Sequence, residues 1–218
     1  FKYIVGDPAI ETIFFNPLIK VEPKGEKFKL RIDPILNLEK GIDFAAKNNK
    51  RPYTNTRGII ASADFGDKVY VETMFVENQS VLPDYLSGFA NTYSVIPGQG
   101  RWKQFKSNGN DYAFSSGFVS TQIFKNVNLQ FGHGKQKIGN GYRSLLLSDN
   151  AFNYPFIRLT QQWFGGRLQY TNIYAMLMNL TPAAVRKDKN VEDLLQKKAA
   201  QFQYLSLNIT KKLNIGLF

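Results

Sequence analysis

Few residues of this chain have reactive chemistry to offer. His133 is the single histidine, and Ser144, Ser148 and Asp149 follow it, the side-chain types that acyl transfer uses as base, nucleophile and orienting carboxylate. No nucleophile elbow frames either serine, and no second histidine is present to share a metal. A structural or strand-end role is the stronger reading of His133, so no catalytic residue is assigned. Gly132-x-Gly134 and Gly139-x-Gly141 meet neither the Walker spacing nor the dinucleotide fingerprint. Asp149-Asn150 alone is too little for calcium, and the chain has no cysteine, so neither a metal nor a cofactor is expected.

Binding chemistry is better represented. Tyr85, Tyr93, Arg101 and Trp102 fall within 80–110, and Tyr142 and Arg143 fall within 134–154. Aromatic rings beside arginine suit stacking on sugar rings or anchoring a protein partner, and connections on a rigid scaffold are where such contacts usually sit. The plainer alternative is that these rings pack a connection against its own scaffold. The triple Leu145-Leu146-Leu147 is expected to fold back into protein.

The elements that carry these residues alternate with a period of two. Phe28, Leu30 and Ile32 alternate with Lys29, Arg31 and Asp33; Ile59, Ala61, Ala63 and Phe65 share one face, as do Val69, Val71, Thr73 and Phe75, leaving Ser62, Asp64, Tyr70 and Glu72 on the other. Further strands are read at 112–123, 127–133, 156–163, 167–178, 204–210 and 213–218, about nine in all. Tyr112, Phe114 and Phe118 fall opposite Val119 and Ile123, so the 112–123 strand has apolar residues on both faces. Tight turns fall at 66–68, 124–126, 164–166 and 210–212, and long connections at about 38–54, 80–110, 134–154 and 179–200. Mixed charges at 191–198 suggest a short helix in the last connection. Short turns at one end and long loops at the other are the sequence pattern of an outer-membrane barrel.

Composition bounds the partners. The chain has 218 residues, 43% hydrophobic and 14% aromatic, with a formal net charge of +11. No apolar run approaches the roughly 18 residues of a spanning helix, a test to which barrels are blind. Its 28 lysines and arginines are scattered rather than gathered on a helix or beside a stacking motif, so nucleic acid is not the expected partner. Anionic lipopolysaccharide or capsule glycan fits the charge better, beside the plain alternative of a basic soluble surface.

Residues 1–26 read as an extended lead-in and 27–218 as the N-terminal part of a larger barrel. An odd strand count ending in a short strand leaves an edge that lipid would not tolerate. Phe218 lies in phase with Asn214 and Gly216, opposite Leu213, Ile215 and Leu217. It is therefore read as where this chain stops and not as where the protein ends.

The stretches Asn55-Thr56-Arg57-Gly58, Glu77-Asn78-Gln79, Pro97-Gly98-Gln99-Gly100-Arg101-Trp102-Lys103, Gly139-Asn140-Gly141-Tyr142-Arg143-Ser144-Leu145-Leu146-Leu147-Ser148-Asp149 and Asn208-Ile209-Thr210-Lys211-Lys212-Leu213-Asn214-Ile215-Gly216 resemble a Bacteroidota outer-membrane family. Its members include gliding-motility proteins of the RemB type and, more distantly, capsule-assembly proteins of the Wzi type. The resemblance implies a transmembrane antiparallel up-and-down β-barrel in the bacterial outer membrane, contacting lipid and lipopolysaccharide. It also implies a non-enzymatic role in gliding, capsule anchoring or another envelope assembly, with surface polysaccharide or envelope proteins as partners. The family has no catalytic residues to transfer. A porin-like diffusion channel and a soluble basic β-sandwich or lectin are the alternatives.

Overall fold

The structure is a computed structural model that describes residues 16–46, 51–181 and 196–218. Strand β1 (Ile19–Val21) leads into β2 (Phe28–Lys40), β3 (Tyr53–Phe65) and β4 (Val69–Val81). Helix α1 (Asp84–Tyr93) and the short strands β5 (Val95–Ile96), β6 (Gly100–Arg101) and β7 (Lys103–Phe105) follow. The chain then runs through β8 (Gly109–Phe124), β9 (Val127–Gly134), β10 (Tyr154–Trp163), β11 (Leu168–Asn179), β12 (Gln196–Asn208) and β13 (Asn214–Leu217).

One antiparallel sheet takes in every strand except the β5–β6 pair, in the up-and-down order β1-β2-β3-β4-β8-β9-β10-β11-β12-β13. Its path begins at β1 and ends at β13, and among the described residues no ladder joins those two strands. Beyond the end of β9, β7 takes the place beside β8, with Lys103 opposite Asp111 and Phe105 opposite Gly109. The nine expected strands are all present, and several are longer than the alternation suggests. Strand β2 continues through Pro34, which lies past the end of β1, where β2 is an edge and a missing N–H is harmless. The expected helix at 191–198 is corrected where it is described: Gln196, Lys197 and Lys198 are paired with Asn179, Met178 and Leu177 in the β11–β12 ladder. Cross-strand pairing overrides a weak helical preference there, and 191–195 lie outside the described residues.

Register sorts the side chains into two faces. Phe28, Leu30 and Ile32 of β2 are level with Phe65, Ala63 and Ala61 of β3, which are level with Val69, Val71 and Thr73 of β4. The row continues through Val119 and Thr121 of β8 to Phe131 and Leu129 of β9 and Ile157 and Leu159 of β10. This face is bare: Leu36 and Leu38 are 76% and 79% exposed, and Ile59, Phe75 and Ile157 are each about half exposed. The opposite face holds Arg31, Asp33, Ser62, Asp64, Glu72, Gln130 and Arg158, and the long connections fold onto it.

Two small cores form under those connections. Tyr154, Phe156, Ile173 and Ala175 of the covered face pack against Ile138, with Leu147 and Ala151 of the 135–153 connection over them. Tyr112 packs with Leu82, Ala90 and Ile96, joined by Leu86 and Trp102. Helix α1 starts directly after Pro83 with Asp84 in its first turn, and Ser94 in the left-handed region ends it. The leucine triple divides: Leu147 joins the core, while Leu145 is fully exposed and Leu146 is 42% exposed.

Two local devices keep the faces in phase. A bulge between Gln122 and Phe124 lets Phe124 pair with Val127 and share its face, where simple alternation would put it with Gln122. Gly132 lies level with both Phe118 and Phe156. A Cβ there would stand 2.6 Å from the Phe118 Cα, a backbone atom that cannot move aside without parting the strands. Gly132→Ala is therefore expected to destabilise the fold by about 1–3 kcal/mol in denaturant titrations. Adding Phe118→Ala should not restore it; full rescue would show that the Phe118 ring alone sets the limit.

Candidate binding site

Two long connections meet over the covered face. Asp43, in the 41–46 segment, accepts the Asp84 N–H through Oδ2 at 3.0 Å, tying that segment to the start of α1. The Lys135 ammonium donates to the Gly98 carbonyl and lies 5.5 Å from the centroid of the Phe114 ring. Gly98 and Gly100 lie against Asn150 and Phe152, and a Cβ on Gly100 would come within 2.8 Å of the Phe152 ring. Both glycines have positive φ, 71° and 147°. The sequence therefore needs glycine here for backbone conformation and for close approach at once.

Beneath this junction lies a cleft of about 510 Å³. Its floor is the covered face of β4, β8, β9 and β10, with Glu72, Phe114, Phe118, Gln130 and Arg158, and its rim is His133, Lys135, Gln136 and Asn153. The Arg158 guanidinium donates to Gln136 Oε1 at 3.2 Å, joining floor to rim. Asn153 is only 2% exposed; its Nδ2 donates to the Ser115 carbonyl at 2.6 Å, and among the described residues its Oδ1 accepts no hydrogen bond. Burial holds the Lys135 ammonium below the usual lysine range, a shift that the Asp149 carboxylate partly offsets. The cleft therefore offers cations, carboxamides and aromatic faces together, a set that suits a polar ring-bearing ligand such as a sugar.

The residues singled out from sequence do not converge on that cleft. Tyr85 stands 76% exposed on α1, and Tyr93 ends the same helix with its ring 4.6 Å from that of Phe89. Trp102 is half-buried, its indole N–H donates to the Ala90 carbonyl at 2.9 Å, and it packs on the Tyr112 core. Arg101, beside it, is exposed. Tyr142 and Arg143 project together from the 135–153 connection, with Tyr142 89% exposed and the guanidinium 5.8 Å from its ring centroid. The structure thus leaves Tyr85, Arg101, Tyr142 and Arg143 open to a partner and gives Trp102 a packing role.

His133 has its ring edge-on to Phe152 at 6.4 Å, and the Ser144 hydroxyl donates to the Ile138 carbonyl. Ser148 Oγ accepts the Asn150 N–H at 3.0 Å. These bonds shape the connection. Reading sequence alone missed Lys135, Gln136 and Asn153, which follow or precede strands with no motif around them. The available signal was Arg158, a charge in mid-strand that demands a polar neighbour on the same face.

The chain matches no protein-family model, no curated protein and no solved structure.

Packing and exposure separate two of these aromatics. Trp102→Ala should lower stability by about 2–3 kcal/mol, whereas Tyr142→Ala should stay within about 0.5 kcal/mol of the parent, read by thermal melts. Equal effects would contradict this division of roles. Lys135 predicts a pH dependence. Its folded-state value lies below the unfolded one, so burying the charge costs stability at neutral pH, and that cost falls away as pH rises through the folded value. Relative to Lys135→Met, the parent should therefore gain stability between neutral pH and about pH 10. A flat or falling difference in paired melts would rule out a buried, charged Lys135.

Proposed function

We propose that this chain forms part of a transmembrane β-barrel of the bacterial outer membrane, with a non-enzymatic role in binding surface glycan or an envelope protein at its long-loop end. The observation that carries the reading is the inversion of its faces. Apolar rows run from β2 to β10 across the bare face, while charges and carboxamides line the face that the loops cover. In water such a surface would be a severe liability, since monomeric soluble proteins rarely expose contiguous apolar patches beyond a few hundred Å². The chain exposes 15542 Å² in all, against roughly 10,000 Å² expected for a compact monomer of its mass. Hydrocarbon is the solvent in which an apolar outer row and a polar inner row are both stable.

The turn asymmetry supports the same reading. Along the main path of the sheet the tight connections lie at one end and the long ones at the other, as in barrels with short periplasmic turns and longer extracellular loops. A soluble β-sandwich needs a second large sheet over the apolar rows, and the described residues supply only the β5–β6 pair besides the main sheet. Loops folded onto the covered face leave a cleft there, which favours a binding role. Resemblance to the gliding and capsule family supports a surface task. Strands beyond β1 and β13 would close the barrel.

The test uses the full protein in its native membrane. It should sediment with the outer membrane, resist carbonate extraction and be released by detergent. Solubility without detergent would sink the membrane reading. Pairing Tyr142→Ala with Arg143→Ala should weaken binding to purified cell-surface polysaccharide by about 10-fold or more while the melting temperature holds. Unchanged binding would remove that loop from the site.

A further inference from the structure

The outer surface is uneven, and within about eight residues of the tight turns its carboxamides gather on one side. On β2–β4 the outward rows between Phe28 and Leu36 are apolar or small without interruption as far as the Arg57–Glu77 pair. On β10–β12 the same face carries Gln161 level with Tyr170, Asn172 level with Gln203, and Tyr174 level with Gln201. These positions lie three to eight residues from the tight turns at 164–166 and 209–213. At roughly 3.3 Å per residue and a 40° tilt, that places them about 8–20 Å up the strands, within a belt about 25 Å tall. Outward carboxamides at that depth face acyl chains that cannot hydrogen-bond, at a cost of several kcal/mol for each group left unpaired.

Part of the cluster satisfies itself. Gln201 Nε2 donates to Asn172 Oδ1 at 3.2 Å, and Asn172 Nδ2 donates to the Tyr174 hydroxyl at 3.3 Å. Gln161 and Gln203 flank this chain of bonds, and among the described residues neither side chain has a hydrogen-bonding partner. Beside the cluster the outer surface dips into an apolar hollow of about 540 Å³, walled by Phe131, Ile157 and Met176 with Ala199 at its base. An apolar hollow with amides beside it has the form of an anchor pocket next to a polar patch.

We propose that this surface of β10–β12 is a contact between two copies of the protein within the membrane, an inference that rests on the barrel reading above. The argument for a second copy is complementarity. A carboxamide presents donors and an acceptor together, so a patch of Gln and Asn matches its own image across a two-fold axis, which a patch of one charge sign would not. Under that axis the Gln161 and Gln203 amides of each copy reach those of the other. The ring of Tyr174, half exposed beside the hollow, is the side chain best placed to enter the partner's.

The chain has no cysteine, so single-cysteine variants of the full protein in native outer membranes read the contact directly. With a short bis-maleimide, Gln203→Cys and Gln161→Cys should give at least about 10-fold more doubled-mass product than Ile59→Cys, mid-belt on the far side of the sheet. Ile59→Cys should itself resist a water-soluble maleimide. The double variant Gln201→Leu with Gln203→Leu should lower the crosslinking of Gln161→Cys while the protein stays in the membrane. If Ile59→Cys is shielded but the glutamine positions give only monomer, the contact is overturned and the barrel stands. Should Ile59→Cys react freely in water, the membrane reading falls instead. A crosslinked product of any mass other than double overturns the second copy as occupant.

Discussion

The phase of the alternation is the constraint on which the whole sheet depends. Thirteen consecutive pairs hold β2 to β3, and thirteen more hold β3 to β4. With a side-chain period of two, a slip of one residue would exchange Ile59 and Ala61 for Ile60 and Ser62, and Thr73 and Phe75 for Glu72 and Met74. Such a slip would carry Glu72 and Arg158 onto the bare face and bury the apolar rows against polar loops. The bulge before Phe124 and the missing side chain at Gly132 are corrections to phase and spacing made where β8, β9 and β10 meet.

Much of this is legible in the sequence because the signal is local. Lys27 to Asp33 and Ile59 to Phe75 state their faces residue by residue, and Gly66-Asp67-Lys68 marks the turn between two of those strands. Phase alone also sets Phe218 with Asn214 and Gly216, and its ring stacks on Phe202 of the covered face, 6.2 Å away. What is not legible depends on distant partners. Helix α1 has only Pro83, Asp84 and the Leu86–Ala90 spacing to announce it amid aromatic loop residues. The start of β12 at Gln196 reads as helix or loop until Leu177 to Asn179 are known to lie beside it.

The same distinction explains the candidate site. Exposed rings such as Tyr85 and Tyr142 stand out in a sequence because they are unusual in loops, and the structure leaves both open. A cleft is a property of convergence. Arg158 comes from β10, Glu72 from β4 and Gln136 from a connection, so no window of sequence contains them together. Trp102 shows the converse, since a residue type common in binding sites is here committed to holding α1 against the sheet.

Every neighbour in the main path of the sheet is also the next long strand in the chain. Tight turns join β3–β4, β8–β9, β10–β11 and β12–β13 at small entropic expense, so those four hairpins can form early and independently. The β4–β8 pairing spans the longest connection in the path, because the whole of 82–108 must be looped out before Ser80 and Asn110 can stand side by side. Relative to a three-residue turn, that closure costs about 2 kcal/mol more in chain entropy. Helix α1 and the small core around Tyr112 shorten the effective loop by folding within it. The segment that presents rings to the outside is therefore also the clasp that lets the first half of the sheet find the second.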